Sequence, residues 1–99
     1  MSAVATSPLQ IDEVVDPLNF TVTDVTGQRT LRFFDIDGYR TAGDLAASAA
    51  EQFGLPSETR YSLRDDVQAR MLLDDRSVGQ QVQHDENLRF VVIPKAHLG

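Results

Sequence analysis

The sequence predicts one α+β domain in which a single helix lies across one face of a small sheet. Residues 18–23 alternate apolar with polar side chains, which is the period of a half-buried strand. Residues 41–54 then show helical spacing with end signals on both sides, and residues 88–93 form a strongly apolar final strand. Because 99 residues provide too little interior for two cores, we expect one core to serve the whole chain.

The first two strands are predicted to form a hairpin. Its turn is Val25-Thr26-Gly27-Gln28, in which Gly27 supplies the positive φ that such turns require. The second strand covers residues 29–36, with Leu31 and Phe33 as its inward pair.

The helix has a signal at each end. Thr41 is the predicted N-cap, and Asp44 occupies the capping-box position three residues later. Gly54 ends the helix and Pro56 prevents its continuation. The buried stripe of the helix consists of Leu45, Ala49 and Phe53.

Three shorter strands follow the helix, at residues 61–63, 70–73 and 88–93. Periodicity alone does not give their order in the sheet. We expect the core to form where the helix crosses the sheet. Its predicted members are Phe20, Leu45, Phe53, Leu88 and Phe90.

The two ends of the chain are predicted to lie outside the domain of residues 18–93. Residues 1–17 mix small, acidic and aliphatic side chains without a sustained period, and we interpret them as a flexible extension that folding does not require. The alternative is a short interaction motif at residues 9–15. Pro94 cannot donate a hydrogen bond to a neighbouring strand, so residues 94–99 are predicted to be a flexible tail.

The acidic composition argues against nucleic acids and anionic membranes as partners. The net charge is −6 and the pI is 4.6, whereas phosphate binding requires clustered Lys and Arg. No apolar run approaches the ~20 residues of a membrane span, and residues 1–6 lack the features of a signal peptide. The chain contains no cysteine, which is compatible with a reducing compartment. We therefore predict a soluble, cytoplasmic protein.

The sequence pattern predicts no catalytic site, metal site or cofactor. An EF-hand that begins at Asp35 fails because Arg40 occupies the position that requires glycine. His84 and His97 have no metal-ligand companion at a suitable spacing, and neither a nucleophile elbow nor a phosphate-binding glycine-rich loop is present. We predict that the chain is not an enzyme. The acidic pairs, interpreted as solvated charge, are Asp35 with Asp37, Asp65 with Asp66, and Asp74 with Asp75.

Four segments resemble ubiquitin, in the same order and at nearly the same spacing. They are the strand and Thr-Gly turn at residues 20–27, the helix with its Gly-Leu-Pro exit at 41–56, the Leu-Leu-Asp-Asp-Arg-Ser-Val segment at 72–78, and the last strand with its acidic lead-in at 85–92. The sequence is thus similar to the ubiquitin-like β-grasp family. The resemblance implies a mixed sheet of four to five strands with one helix packed across it.

The same resemblance implies a protein modifier of the bacterial kind, which works with an E1-like activating enzyme and an E2-like enzyme or a processing protease. Gly99 is then the residue that is activated and conjugated to a protein target, because glycine presents an unhindered carboxylate to the α-phosphate of ATP. Ubiquitin-like modifiers commonly end in Gly-Gly, whereas this chain ends in His-Leu-Gly. The residues that would guide the glycine into the enzyme are Pro94, Lys95, Ala96, His97 and Leu98.

A partner-binding strip on the sheet is a further expectation. Its predicted members are Val25, Arg89, Val91 and Ile93, with singly exposed residues as the alternative. On the third strand, the ubiquitin-like register places Ser62 where ubiquitin has an exposed hydrophobic residue, and a slip of one residue places Leu63 there.

Two other functions stay open. A noncovalent docking protein, similar to the small accessory proteins of type VII secretion, would bind its partner through the sheet. A sulfur carrier would form a terminal thiocarboxylate, and the missing Gly-Gly counts most against it. Lys95 is the sole lysine of the chain, so a modifier of this sequence is expected to form single attachments rather than lysine-linked polymers.

Overall fold

The computed structural model describes residues 17–82 and 87–95. Its elements in chain order are β1 (Leu18–Thr23), β2 (Thr30–Ile36), α1 (Ala42–Phe53), β3 (Tyr61–Asp65), β4 (Arg70–Met71), α2 (Val78–Gln81) and β5 (Arg89–Pro94). The strands of these residues form one sheet in the order β2-β1-β5-β3-β4, with β1 parallel to β5 and the other neighbouring pairs antiparallel. The predicted mixed sheet with one long helix across it is confirmed.

The core lies between α1 and the sheet, where the helix contacts β3 and β5. The alternation predicted for β1 is confirmed, since Leu18, Phe20 and Val22 are all buried. The ring of Phe20 stacks on Phe33 with the ring centres 5.1 Å apart, and it meets the edge of Phe90 at the same distance. All five residues predicted for the core are buried.

The turn between β1 and β2 is built around the buried carboxylate of Asp24. Gly27 has the predicted positive φ, at 78°, and its N–H donates to the carbonyl of Asp24. One carboxylate oxygen of Asp24 accepts from the Thr26 hydroxyl at 2.8 Å and from the Gln28 N–H at 3.1 Å. The other accepts from Nε of Arg29 at 3.2 Å. Burial by itself would raise the pKa of Asp24, but these hydrogen bonds outweigh it and lower the pKa from 3.8 to about 2.

The lowered pKa of Asp24 predicts a specific loss of stability in acid. The carboxylate contributes stability above its unfolded pKa of 3.8, and this contribution disappears as the pH falls through the folded value of about 2. Asp24→Asn should therefore be less stable than the wild type near neutral pH, and the difference should shrink steadily below about pH 4. Urea unfolding of both proteins between pH 7 and about pH 2 measures that difference. A difference that does not change with pH would show that the charge of Asp24 plays no part.

A β-bulge changes the direction of β2 near its end. Between two successive inward-facing residues of β1, the partner strand carries one extra residue. Asp35 lies at this bulge with a φ of 53°, and its N–H donates to Oδ1 of Asn19 at 2.9 Å. Because Phe33 faces the core, its neighbour Phe34 lies on the opposite face of the sheet, where its side chain is 62% exposed.

The predicted ends of α1 are confirmed. The hydroxyl of Thr41 accepts from the N–H of Asp44 at 3.1 Å, as an N-cap does. Gly54 follows the helix in the left-handed conformation, with a φ of 75°, and its N–H bonds back to the last turn. Asp44 does not complete the capping box that its position predicted, because its carboxylate pairs with Nε of Arg40 at 2.7 Å rather than with the N–H of Thr41.

The second half of the chain differs from the prediction in four places. β3 extends to Asp65, two residues beyond its predicted end. β4 ends at Met71 rather than at residue 73, although the N–H of Leu72 still donates to the carbonyl of Leu63. The short helix α2 was not predicted, because four residues are too few to show a helical period. β5 begins at Arg89 and includes Pro94, one residue beyond the predicted end. Within the described ranges, neither helix has the length and apolar character needed to cross a membrane.

Candidate functional site

The end of β5 carries the first part of the predicted tail. Pro94 is the last residue of the strand and pairs with Tyr61, and the N–H of Lys95 donates to the carbonyl of Arg60 at 2.8 Å. Successive N–H groups of a strand point to opposite sides, so the missing N–H of Pro94 falls on the side of β1. β1 pairs with β5 only from Arg89 to Val91, and the proline therefore removes no hydrogen bond between strands.

The side chain of Lys95 is fixed as well. Its Nζ lies 2.6 Å from Oδ2 of Asp74, and the same oxygen accepts from the hydroxyl of Ser62 at 3.2 Å. Both charged side chains are about one third exposed, so water screens the pair only in part. We call Pro94, Lys95 and Asp74 the tail root. The flexible tail was predicted to begin at Pro94. In the structure, the sheet and Asp74 instead hold Pro94 and Lys95 in place.

The tail root is also connected to α1. The carbonyl of Asp74 accepts from the N–H of Gly43 at 2.9 Å, in the first turn of the helix. A Cβ on Gly43 would lie 3.0 Å from that carbonyl oxygen and 3.3 Å from Cβ of Asp74, so the close approach depends on glycine. Oδ1 of Asp74 is buried without a hydrogen-bond partner among the described residues. The loop after β4 thus joins α1, β3 and the end of β5.

The remaining predicted tail residues lie outside the described residues. They are Ala96, His97, Leu98 and Gly99. An extended chain covers about 3.3–3.6 Å per residue, so these four residues reach at most about 14 Å beyond Lys95. The six-residue tail predicted from the sequence would have reached about 20 Å.

The predicted partner strip divides into two parts. Arg89, Val91 and Ile93 occupy alternate positions of β5 and lie on the face of the sheet opposite α1, which we call the outer face. Arg89 is exposed and the two aliphatic residues are half-buried. Val25 is 61% exposed but lies in the turn after β1 rather than on a strand. The strip on the sheet itself thus consists of the three β5 residues.

The register of β3 decides between Ser62 and Leu63. Leu63 pairs with Val92 and is fully buried, so the slip of one residue that would expose it does not occur. Ser62 is also buried, and its hydroxyl bonds to Asp74. The outer face therefore has no exposed aliphatic residue at either of these β3 positions.

The acidic pairs have structural roles where the structure describes their contacts, and the prediction of solvated charge is wrong for Asp65, which is buried. Oδ1 of Asp65 accepts from the N–H groups of Val67 and Gln68 and so closes the turn between β3 and β4. Oδ1 of Asp37 accepts from the N–H of Tyr39 in the same manner. Within residues 17–82 and 87–95, no group of three metal-ligating side chains occurs. His84 and His97 lie outside these ranges.

Sequence reasoning missed two features of the site. One is the ion pair between Lys95 and Asp74, which are 21 residues apart, and its only sequence signal is that the chain has a single lysine. The other is a pair of arginines on the outer face, Arg32 on β2 and Arg89 on β5. Both arginines pair with Thr21, one on each side. Their proximity depends on the pairing of β1 with β5, which are distant in sequence.

Of three comparisons with known proteins, the one with solved structures finds matches, and these share one fold. No family model matches the sequence, and no curated protein matches it. Among solved structures, the ubiquitin of Caldiarchaeum subterraneum is 19% identical with a TM-score of 0.62, over 84% of this chain and 99% of that protein.

Two further structures match the fold. A chain from a structure on molecular mimicry of SUMO that promotes DNA repair is 17% identical with a TM-score of 0.62, over 78% of this chain and 90% of that chain. The C-terminal ubiquitin-like domain of human 2'-5'-oligoadenylate synthetase-like protein is 19% identical with a TM-score of 0.60, over 84% and 88%. The chain therefore has the ubiquitin-like β-grasp fold.

Proposed function

We propose that this chain is a ubiquitin-like protein modifier and the substrate, rather than the catalyst, of its own activation. The carboxylate of Gly99 attacks the α-phosphate of ATP in an E1-like enzyme, and pyrophosphate leaves. A cysteine thiolate of that enzyme then displaces AMP from the acyl adenylate and forms a thioester. A cysteine of an E2-like enzyme takes over the thioester and releases the E1-like thiol. An amine of a protein target then attacks the thioester, forms an amide bond with the glycine and releases the E2-like thiol.

The observation that carries this proposal is the tail root. The ion pair of Lys95 with Asp74 and the hydrogen bond from Lys95 to Arg60 fix where the chain leaves the domain. Gly99 is four residues beyond this point, so its freedom relative to the domain is small. An enzyme that binds the domain can therefore find the carboxylate at a limited set of positions, which lowers the entropic cost of activation.

The chemistry of the sole lysine supports single attachment. Nζ of Lys95 is held 2.6 Å from a carboxylate oxygen of Asp74. The ion pair holds this amine against a carboxylate of its own molecule, so the lysine must leave Asp74 before it can reach a thioester. A second copy of the modifier therefore has a poor acceptor on the first.

The experiment that tests the proposal mixes the purified chain with an E1-like enzyme from the same genome and ATP. We expect pyrophosphate release and an adduct on the enzyme that a thiol reagent discharges. If neither appears with any such E1-like enzyme, the modifier function is wrong.

A noncovalent docking function is the second candidate, and the outer face favours it. Half-buried Val91 and Ile93 lie beside exposed Arg89, an arrangement of apolar centre and charged edge that suits protein binding. The same mixture distinguishes the two functions, since a protein that only docks on a partner releases no pyrophosphate from ATP. A sulfur carrier would share the adenylation step but would end as a thiocarboxylate, which intact-mass measurement detects.

A further inference from the structure

An open groove crosses the outer face at the level of Thr21. It lies over β2, β1 and β5, and side chains of all three strands line it. Exposed lining residues of these strands are Asn19, Arg32, Phe34 and Arg89. No carboxylate lines the groove among the described residues, although the chain as a whole has a net charge of −6.

Two arginines define the charge of this groove. Thr21 pairs with Arg32 on one side and with Arg89 on the other, so the two arginines stand in one row across the sheet. Neighbouring strands are about 4.8 Å apart, which puts the Cα atoms of the arginines about 10 Å apart. Neither guanidinium has a hydrogen bond or an ion pair within the described part of the chain.

A carboxylate beside this row, that of Asp66, is already engaged. The N–H of Asp66 donates to the carbonyl of Arg89 at 2.9 Å, which places Asp66 beside the groove. Its carboxylate lies 2.8 Å from the guanidinium of Arg64. Arg32 and Arg89 are therefore left to bind an acidic group from elsewhere, and Phe34, 62% exposed, offers an apolar surface next to them.

The chemistry of the groove matches one segment of the chain itself. Residues 11–16 read Ile-Asp-Glu-Val-Val-Asp, and no basic residue occurs in residues 1–16. In an extended segment residues 12, 14 and 16 share one side, so two acids flank a valine. Asp12 and Asp16 are then about 13 Å apart, which two flexible arginine side chains about 10 Å apart can match.

We propose that residues 11–16 dock on the outer face of their own molecule, with their carboxylates on Arg32 and Arg89 and Val14 against Phe34. Leu18, the first residue of β1, lies about 10 Å along the strand from Thr21. The chain must turn back at Pro17 to approach this row, and the aspartate and arginine side chains together can then bridge this distance. Single exposed ion pairs contribute little, but the covalent connection gives the segment a high effective concentration at the groove.

Because the chain has no cysteine, one introduced thiol gives a single labelling site. A nitroxide is attached to Gln10→Cys in the full chain, which is labelled with 15N. We expect the amide signals of Thr21, Arg32, Phe34 and Arg89 to lose intensity, while amides on the exposed side of α1, such as Ala47 and Glu51, keep theirs. Raising the salt to 1 M should restore most of the lost intensity, since exposed ion pairs are screened.

Charge variants distinguish docking through the two arginines from proximity that results only from the covalent connection. Arg32→Gln with Arg89→Gln should abolish the intensity loss. Arg60→Gln with Arg76→Gln, two exposed arginines elsewhere, makes the same charge change and should leave the loss intact. Equal loss on the outer face and on α1, or loss that persists without Arg32 and Arg89, would overturn the proposal.

Two other occupants are distinguished in the same samples. A mixture of 15N protein without nitroxide and unlabelled protein with nitroxide reports contacts between molecules, and intensity loss only there would replace our proposal with a second copy. Asp85 and Glu86 precede Asn87 in sequence and are the competing acids of the same molecule. If Asp85→Asn with Glu86→Gln shifts the signals of Arg32 and Arg89, and neutralising Asp12, Glu13 and Asp16 does not, the proposal is wrong.

Discussion

Replacing Phe90 by alanine is expected to lower the free energy of unfolding by about 3–5 kcal/mol. Phe90 is fully buried on β5, the central strand of the sheet, and its ring packs edge-on against Phe20 at 5.1 Å. Phe20 in turn stacks on Phe33, so the change opens a cavity beside an aromatic cluster that joins three strands. The total free energy of unfolding of a domain of this size is about 5–15 kcal/mol, so this loss is a large share of it.

Urea unfolding followed by circular dichroism measures the effect of Phe90→Ala. Phe34→Ala is the matched control, because it removes the same atoms from a side chain that is 62% exposed on the outer face. We expect the control to change the free energy of unfolding by no more than about 0.5 kcal/mol. Equal losses in the two variants would mean that the two faces of the sheet are assigned the wrong way round.

The parts of the fold that sequence reasoning predicted depend on local signals. The alternation in β1 and the Thr41 and Gly54 ends of α1 are each encoded within a few residues, and the structure reproduces them. The core prediction followed from the same periods. The turn at Gly27 was predictable because a positive φ has a clear residue preference.

The parts that sequence reasoning missed depend on pairing between distant segments. Pro94 was predicted to lie beyond the last strand, because a sequence does not show that β1 stops alongside Val91 and leaves no acceptor opposite the proline. Arg32 and Arg89 lie in one row across the sheet only because β1 pairs with β2 on one side and with β5 on the other. Nothing near Lys95 in the sequence indicates Asp74 as its partner.

Changes at Gly99 are expected to affect the reaction but not the fold. Deleting Gly99 should reduce adenylation by a cognate E1-like enzyme on the order of 100-fold or more, because the new terminal carboxylate is displaced by one residue from the reacting position. It also belongs to Leu98, whose side chain crowds the α-phosphate. Gly99→Ala should give a smaller loss, since it keeps the length and adds only a methyl group.

Stability serves as the control for these variants. The tail root holds the chain up to Lys95, four residues before Gly99, so the thermal midpoints should stay within about 4 °C of the wild type. Adding one serine after Gly99 keeps every native residue but places the Gly99 carbonyl in a peptide bond. The added serine should block pyrophosphate release until a protease removes it. If the chain that ends at Leu98, or the one with the added serine, is adenylated as fast as the wild type, the Gly99 carboxylate is not the activated group and the modifier function fails.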